Sequence, residues 1–429
     1  MQLNIILRWV YTLIFILGIP VLLLRLLWKS RGNPAYRRHW AERFGFFKAP
    51  AKTGGLWVHA VSVGETMAAV PLIREFQKRF PDLPIVITST TPTGRACAKS
   101  IFKDEVFQVY FPYDLSSCIQ RFLKNLQPKL LVVMEKELWL NCFSICRQQL
   151  VPIYIVNASL SRHSLKGYQR FKTLIRGLLE CMTMVFAQSE TDADRFLELG
   201  VEQKHLMITG NMKFDIAIQE ALETAGKQYR AGFSNRPVWI AASTHIGEEE
   251  QILVAFRQVL EQVNNALLIL VPRHPERFGS VATLIEQQGY TAVKRTSGLP
   301  VTENTQVLLG DTMGELTFFY ALSDVAFVGG SLVAVGGHNT LEPAALGVPV
   351  IVGPHVHNCM DITKLLLEAG GLLQVSDSDG LAHAVLRWFS APDKRQVAGE
   401  AAKSVVEKNR GAVKKIVDFI SFDDRLTKY

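Results

Sequence analysis

The chain has 429 residues, 48% of them hydrophobic and 20% charged, with a formal net charge of +8 and six cysteines. That balance supplies apolar side chains for two well-cored domains and excludes a mainly disordered or fibrous protein. The positive charge suits an anionic partner, yet no RNP-like sequence, zinc-finger spacing or long basic run points to nucleic acid, and the scattered cysteines read as reduced thiols without a metal site.

Trp9–Leu24 is 16 residues without a charge. With its apolar flanks from Leu3 to Trp28, and with Arg8 and Arg25 snorkelling, it approaches the ~20 residues that a membrane span requires. No small-residue cleavage site follows. Instead come Arg25, Lys29, Arg31, Arg37, Arg38 and Arg43, so residues 1–28 read as a retained membrane anchor with the rest of the chain on the cytoplasmic side. Gly18 and Pro20 leave a bent or half-inserted helix open, and the basic stretch Lys29–Arg43 is expected near anionic headgroups.

From Leu56 the sequence alternates strand, turn and helix. LWVHAVS, IVITST, VFQVYFPYD, KLLVVMEKELW, VPIYIVNAS, MTMVFAQS and LMITGNMK are the strands, and the helix between the first two keeps Val70, Ile73, Phe76 and Phe80 on one face. This predicts a doubly wound parallel sheet over residues 29–215, with ligands at the carboxyl ends of the strands. Glu65, Glu135, Glu137, Asn157 and Lys213 all fall at or just beyond those ends. A polar, helix-prone connector is expected over 216–236. A second doubly wound domain, 237–429, follows with PVWIAAST, ALLILVPRHPERF, TQVLLGDTMGEL, DVAFVGGS, PVIVGP and GLLQV; its last helices, from Asp393 on, can cross back to the first domain.

Asp324–Pro354 carries the densest signal. A buried strand (Val325–Val328) runs into a turn with Gly329, Gly330, Gly336 and Gly337, then a helix opening near Leu341, then a second buried strand (Val348–Val352). Asn339 or Thr340 can cap that helix, and Pro343 is tolerated in its first turn. A glycine turn entering a helix offers backbone N–H groups to a phosphate, while the Glu342 carboxylate can accept ribose hydroxyls.

Several segments together resemble one family. HAVSVGET (59–66), PTGR (92–95), MEKELW (134–139), GNMKFD (210–215), STHIGEEE (243–250), LVPRHPERF (270–278), GDTMGEL (310–316) and GGSLVAVGGHNTLEPAA (329–345) resemble, in order and spacing, the 3-deoxy-D-manno-octulosonic acid (Kdo) transferases. The resemblance implies a GT-B glycosyltransferase, an α/β protein of two Rossmann-like domains facing a cleft plus an N-terminal anchor helix. It implies an inverting, metal-independent enzyme that needs no cofactor, moving Kdo from CMP-Kdo to the lipid A precursor at the cytoplasmic face of the inner membrane.

It also implies roles. The family's general base falls on Glu65 and its two transition-state residues on Glu135 and Lys213. The CMP-contacting segments fall on Pro272 and Arg273, on Met313, Gly314 and Glu315, and on Asn339, Thr340, Leu341 and Glu342; Thr340 stands where the family often has proline. From the residues alone, Glu65 could merely cap a helix, and Lys213 could be a surface charge that would suit either a departing phosphate or a substrate carboxylate. His274 and Arg277 read as supporting residues. Asp192 with Asp194 and Asp377 with Asp379 mimic a metal-binding DxD, but a helix N-terminus and a turn are their plainer places; His355 and His357 lack further ligands. Two alternatives stay open: a nonhydrolysing nucleotide-sugar epimerase of the same architecture, and a noncatalytic nucleotide-binding protein tethered to the membrane.

Overall fold

Near-continuous runs of Val, Ile and Leu suit strands that are covered on both faces, and they form two parallel sheets of seven strands each. The computed structural model describes residues 2–216, 218–233, 236–423 and Leu426. The first sheet holds β1 (Leu56–His59), β2 (Ile85–Ser89), β3 (Phe107–Tyr110), β4 (Leu130–Met134), β5 (Ile153–Ala158), β6 (Met184–Ala187) and β7 (Leu206–Ile208), in the order 3-2-1-4-5-6-7. The second holds β8 (Val238–Thr244), β9 (Leu267–Pro272), β10 (Ala292–Lys294), β11 (Val307–Leu309), β12 (Val325–Val328), β13 (Val350–Val352) and β14 (Leu372–Gln374), in the order 10-11-9-8-12-13-14. Every pairing is parallel.

Strand order reverses between β1 and β4 in the first sheet and between β8 and β12 in the second. Helices leave in opposite directions at such a point and open a crevice beyond the strand ends, where ligands of doubly wound sheets bind. The expected strands are all present. β10 is additional: three residues at the sheet edge with no buried side chain, too short and too polar to stand out as a pattern.

The chain divides into two compact units, one of residues up to Asp215 together with those from Arg410 on, the other Ile216–Asn409. Two expectations need correction. The helix-prone stretch 216–236 does contain a helix in its described part, Glu220–Ala231, but that helix belongs to the second unit instead of connecting the two. Tyr229 packs on Phe233 and Phe318, and a Cβ at Gly226 would come within 2.6 Å of the Phe318 carbonyl, so glycine permits the close helix contact. The crossover also comes later than Asp393. The helix Pro392–Asn409 stays in the second unit, where Gly399 lies against the Gly347 carbonyl, and only the helix Ala412–Ser421 joins the first. There Ile416, Val417 and Ile420 are fully buried with Leu72, Ile73 and Phe76. Asp215 fixes the entry of this helix by accepting the amides of Gly411 at 2.6 Å and Val413 at 2.7 Å. At the other end of the chain, the helix Gln2–Lys29 is long and apolar enough to cross a membrane.

Candidate active site

In the first unit, β1 ends at His59 and the helix Val63–Arg79 begins four residues on. Ser62 is its N-cap, and Glu65 reaches back from the first turn: Val61 N–H donates to Glu65 Oε2 at 2.8 Å and the Ser62 hydroxyl to Oε1 at 3.2 Å. This is a capping-box arrangement. It leaves Glu65 half-buried, and burial together with the Glu135 and Glu137 carboxylates pushes its pKa up to about 7 against the pull of the Val61 amide and Ser62 hydroxyl. The helix terminus favours the charged form, but desolvation and like charge win.

Glu135 directly follows β4, the strand paired with β1. Its backbone is left-handed, φ 59°, so the turn begins at Glu135 itself. Glu137 follows in the same turn, and burial, then Glu135, raises its pKa. Three carboxylates thus gather at the switch point, with Lys136 exposed among them.

Lys213 lies in the short 3-10 turn Met212–Phe214, and its ammonium has no hydrogen-bond partner among the described residues. Asn157 places that turn. It is fully buried with φ 54°, and its Oδ1 accepts the Met212 amide at 2.9 Å, while its Nδ2 finds no acceptor. The sequence puts Asn157 at a strand end but gives it no role; the left-handed backbone that asparagine tolerates is the signal.

In the second unit the glycine turn differs from expectation. Gly330 (φ +69°), Gly336 (φ +111°) and Gly337 (φ +79°) do adopt conformations that side chains resist, and a Cβ at Gly329 would strike the Ser243 carbonyl at 2.7 Å. The turn's amides, however, are already occupied. The fully buried Glu248 accepts Gly330 N–H at 2.7 Å, Ser331 at 3.0 Å and Leu332 at 2.9 Å, and also the His245 amide at 3.0 Å. A carboxylate of the protein itself holds the place expected for a phosphate. The helix at Leu341 is a single turn, Leu341–Ala345, and Asn339 rather than Thr340 caps it, accepting the Leu341 amide at 3.0 Å. Thr340 and Leu341 have buried side chains, so only their backbone can touch a ligand.

Beside this turn, His245 and His338 face each other with Nε2 atoms 2.7 Å apart, and His274 meets His245 edge-on at 5.3 Å between centroids. One of the paired nitrogens donates to the other, which limits that contact to a single proton. Burial, then Arg273, holds His338 down to about 4, and burial lowers His245 as well. Sequence reasoning missed this pair. Arg273 is exposed just after Pro272, the last residue of β9, whereas Arg277 is tied to the buried Glu249 at 2.7 Å. Glu342 hydrogen-bonds Asn339 Nδ2 at 3.1 Å; burial raises its pKa, and Asn339 and Arg273 oppose this.

Met313 is 59% exposed and Gly314 has φ +84° with open space around it. The Glu315 side chain is spoken for by Arg295 at 3.0 Å and Thr312 at 2.6 Å, which leaves the backbone of this turn as the part open to a ligand. The DxD-like pairs serve the fold: Asp192 accepts the Leu160 amide and Ser189 hydroxyl, and Asp377 caps the helix Ser378–Phe389.

Comparison with known proteins agrees with this division. Residues 38–216 match the family described as 3-deoxy-D-manno-octulosonic-acid transferase (kdotransferase), and residues 248–405 match glycosyl transferases group 1. The chain is 41% identical over 423 residues to the 3-deoxy-D-manno-octulosonic acid transferase of Haemophilus influenzae, covering 96% of this chain and 98% of that one. It is 35% identical over 427 residues to the Bordetella pertussis protein of the same description, with the same coverage. Among solved structures, UDP-GlcNAc 2-epimerase from Neisseria meningitidis superposes with TM-score 0.56 at 15% identity over 85% of this chain and 99% of that one. A glycosyltransferase from Rickettsia africae gives 0.54 at 14% identity over 88% and 100%. At such identity these two speak for the fold alone, which is of GT-B type.

Proposed function

The chain belongs to the 3-deoxy-D-manno-octulosonic acid transferase family of glycosyltransferases, and from that premise we propose that it moves Kdo from CMP-Kdo to the lipid A precursor (lipid IVA), with inversion and without a metal ion, at the cytoplasmic face of the inner membrane. The observation that carries this reading is the Glu65 carboxylate, poised near neutral pH beside two further carboxylates. A sugar hydroxyl is a poor nucleophile until its proton is taken as the new bond forms. Glu65 accepts that proton while the hydroxyl oxygen bonds to the anomeric carbon of Kdo. The bond from that carbon to the CMP phosphate breaks, and its electron pair leaves with CMP.

Glu135 and Lys213 act on the charge that develops, the carboxylate on the cationic sugar and the ammonium on the departing phosphate or the Kdo carboxylate. In the second unit Arg273 takes the phosphate, Glu342 the ribose hydroxyls, and the backbone of Met313–Glu315 an edge of the base. Pro272 and Asn339–Leu341 frame that seat. Since Glu248 already fills the amides of Gly330–Leu332, the phosphate falls to the arginine rather than to the glycine turn. Val63 and Met67, both exposed apolar residues flanking Glu65, fit a lipid-linked acceptor better than a soluble sugar.

The test is incubation with CMP-Kdo and tetraacyl lipid A precursor, with and without excess EDTA, followed by mass spectrometry of the lipid. A lipid heavier by Kdo in both arms is the expected result. No adduct in either arm sinks the donor and acceptor assignment, and an adduct that EDTA abolishes and magnesium restores sinks the metal-independent part.

A further inference from the structure

The helix Gln2–Lys29 is seated on the first unit by a polar contact set that a free anchor would not need. Positions 8, 11, 12 and 15 share one helix face, and each meets the body. Arg8 donates from Nε to Asn141 Oδ1 at 2.9 Å and from Nη1 to Ser144 Oγ at 2.7 Å. The Tyr11 hydroxyl donates to Asp114 Oδ2 at 2.9 Å, Asn141 Nδ2 donates to Thr12 Oγ1 at 3.0 Å, and the Phe15 ring lies 6.3 Å from that of Tyr113. The receiving groups are interior ones. Asp114 and Asn141 are fully buried, and Asp114 also accepts the amides of Asn141 and Cys142 at 3.0 and 2.7 Å. The opposite face, Trp9, Leu13, Leu17, Val21, Leu24 and Trp28, is between 58% and 71% exposed.

The chain then returns to the same spot. Tyr113 N–H donates to the Arg43 carbonyl at 2.6 Å, and the Phe44 ring lies edge-on to Tyr113 at 5.2 Å. The segment 8–43 therefore leaves from, and comes back to, the turn at Tyr113 and Asp114. If the helix crossed a bilayer from Thr12, it would advance about 25 Å by residue 29. Residues 30–42 would then have to re-cross the hydrocarbon, carrying Arg31, Arg37 and Arg38 and backbone groups that regular structure leaves unpaired. Bilayers do not accommodate that.

We propose that this helix lies in the plane of the membrane, its outward apolar face sunk into one leaflet, with Arg25, Lys29, Arg31 and Arg38 on the phosphates of anionic phospholipids. The Arg8, Tyr11 and Thr12 seat then sets the orientation of the first unit against the bilayer. This rests on the membrane location given under the proposed function, and it replaces the spanning anchor that the sequence leaves open.

The test uses the full chain with one epitope ahead of Met1 and another after Tyr429, in spheroplasts treated with protease before and after permeabilisation. Both epitopes should survive in intact spheroplasts and both be lost after permeabilisation, and the purified protein should float with phosphatidylethanolamine/phosphatidylglycerol vesicles. Loss of the N-terminal epitope alone in intact spheroplasts overturns the in-plane helix while the membrane location stands. Failure to float overturns both; if the chain is then a dimer with Trp9 and Trp28 shielded, the apolar face belongs to a second copy.

Discussion

Ser62 and Glu65 hold each other twice: the Ser62 Oγ accepts the Glu65 amide at 3.3 Å, and its hydroxyl donates to Glu65 Oε1 at 3.2 Å. The helix cap that the sequence sets against a general base is therefore present, and it leaves the same carboxylate available for the proposed base role. Glu65→Gln keeps an oxygen for the Val61 amide but cannot take a proton, so transfer should fall by about 10²-fold or more. CMP affinity should hardly move, because the segments proposed to hold the nucleotide belong to the other unit, and the variant should stay folded. Single-turnover transfer, melting and CMP calorimetry on one preparation decide it; a folded Glu65→Gln protein with near-normal transfer would pass the base role to Glu135.

The elevated Glu65 pKa has a stability consequence. A carboxyl group whose folded pKa is about 7, against the ordinary 4.5, binds its proton more tightly folded than unfolded. Its contribution is therefore present below about pH 4.5 and is lost as pH rises towards 7. Glu65→Gln lacks that loss, so the variant's melting temperature relative to the parent should climb between pH 5 and pH 8, while the parent's transfer rate rises over the same interval. A pH-independent melting difference would remove the burial argument.

Glu248→Ala should damage the second unit well beyond a typical point change. It strands four amides, those of His245, Gly330, Ser331 and Leu332. Each unsatisfied buried donor costs about 1–3 kcal/mol. Denaturant unfolding should show loss of several kcal/mol, and CMP binding should weaken with it. If a phosphate were instead the true occupant of these amides, the variant would bind CMP more tightly, and the present assignment would be wrong.

Glu342→Ala should raise the CMP dissociation constant by about 10- to 100-fold, the equivalent of losing one charged hydrogen-bond acceptor. Burial raises the pKa of this carboxyl, so parental affinity should also weaken on acidification as the ribose acceptor protonates. Calorimetric affinity that is unchanged in the folded variant takes Glu342 out of the site.

Asn157→Gly keeps a residue comfortable at φ 54° and removes the buried carboxamide, and with it the acceptor for the Met212 amide. Transfer should drop about tenfold with CMP affinity retained. Combined with Lys213→Ala, it should cost little more than Lys213→Ala alone, since both act through one group. Additive losses in that cycle would mean Asn157 does not work through Lys213.

Much of the architecture was legible because buried parallel strands are apolar throughout, and the runs at Val325–Val328 and Leu130–Met134 cannot be mistaken for amphipathic helices. β10 was not, since two of its three residues face solvent. In the site, the position of Glu65 could be read from the strand-to-helix turn, but its pKa depends first on burial and then on Glu135 and Glu137, about 70 residues away in sequence. The glycine turn shows why a motif can suggest the wrong ligand. Glycines announce available amides, and nothing local says that Glu248, 82 residues earlier, takes them. The seat of the N-terminal helix left a trace, Arg8, Tyr11 and Thr12 at helical spacing, which an apolar run of this length overshadowed.

The helix Ala412–Ser421 brings order of synthesis into play. Its Ile416, Val417 and Ile420 complete a core whose other members, Leu72, Ile73 and Phe76, are made more than 300 residues earlier. Domains ordinarily fold as they emerge from the ribosome, first part first. Here the leading half must wait, its sheet face uncovered through the translation of the entire trailing half, which can close its own core sooner. The part of the protein that is born first therefore keeps an apolar surface open until the last helix is made.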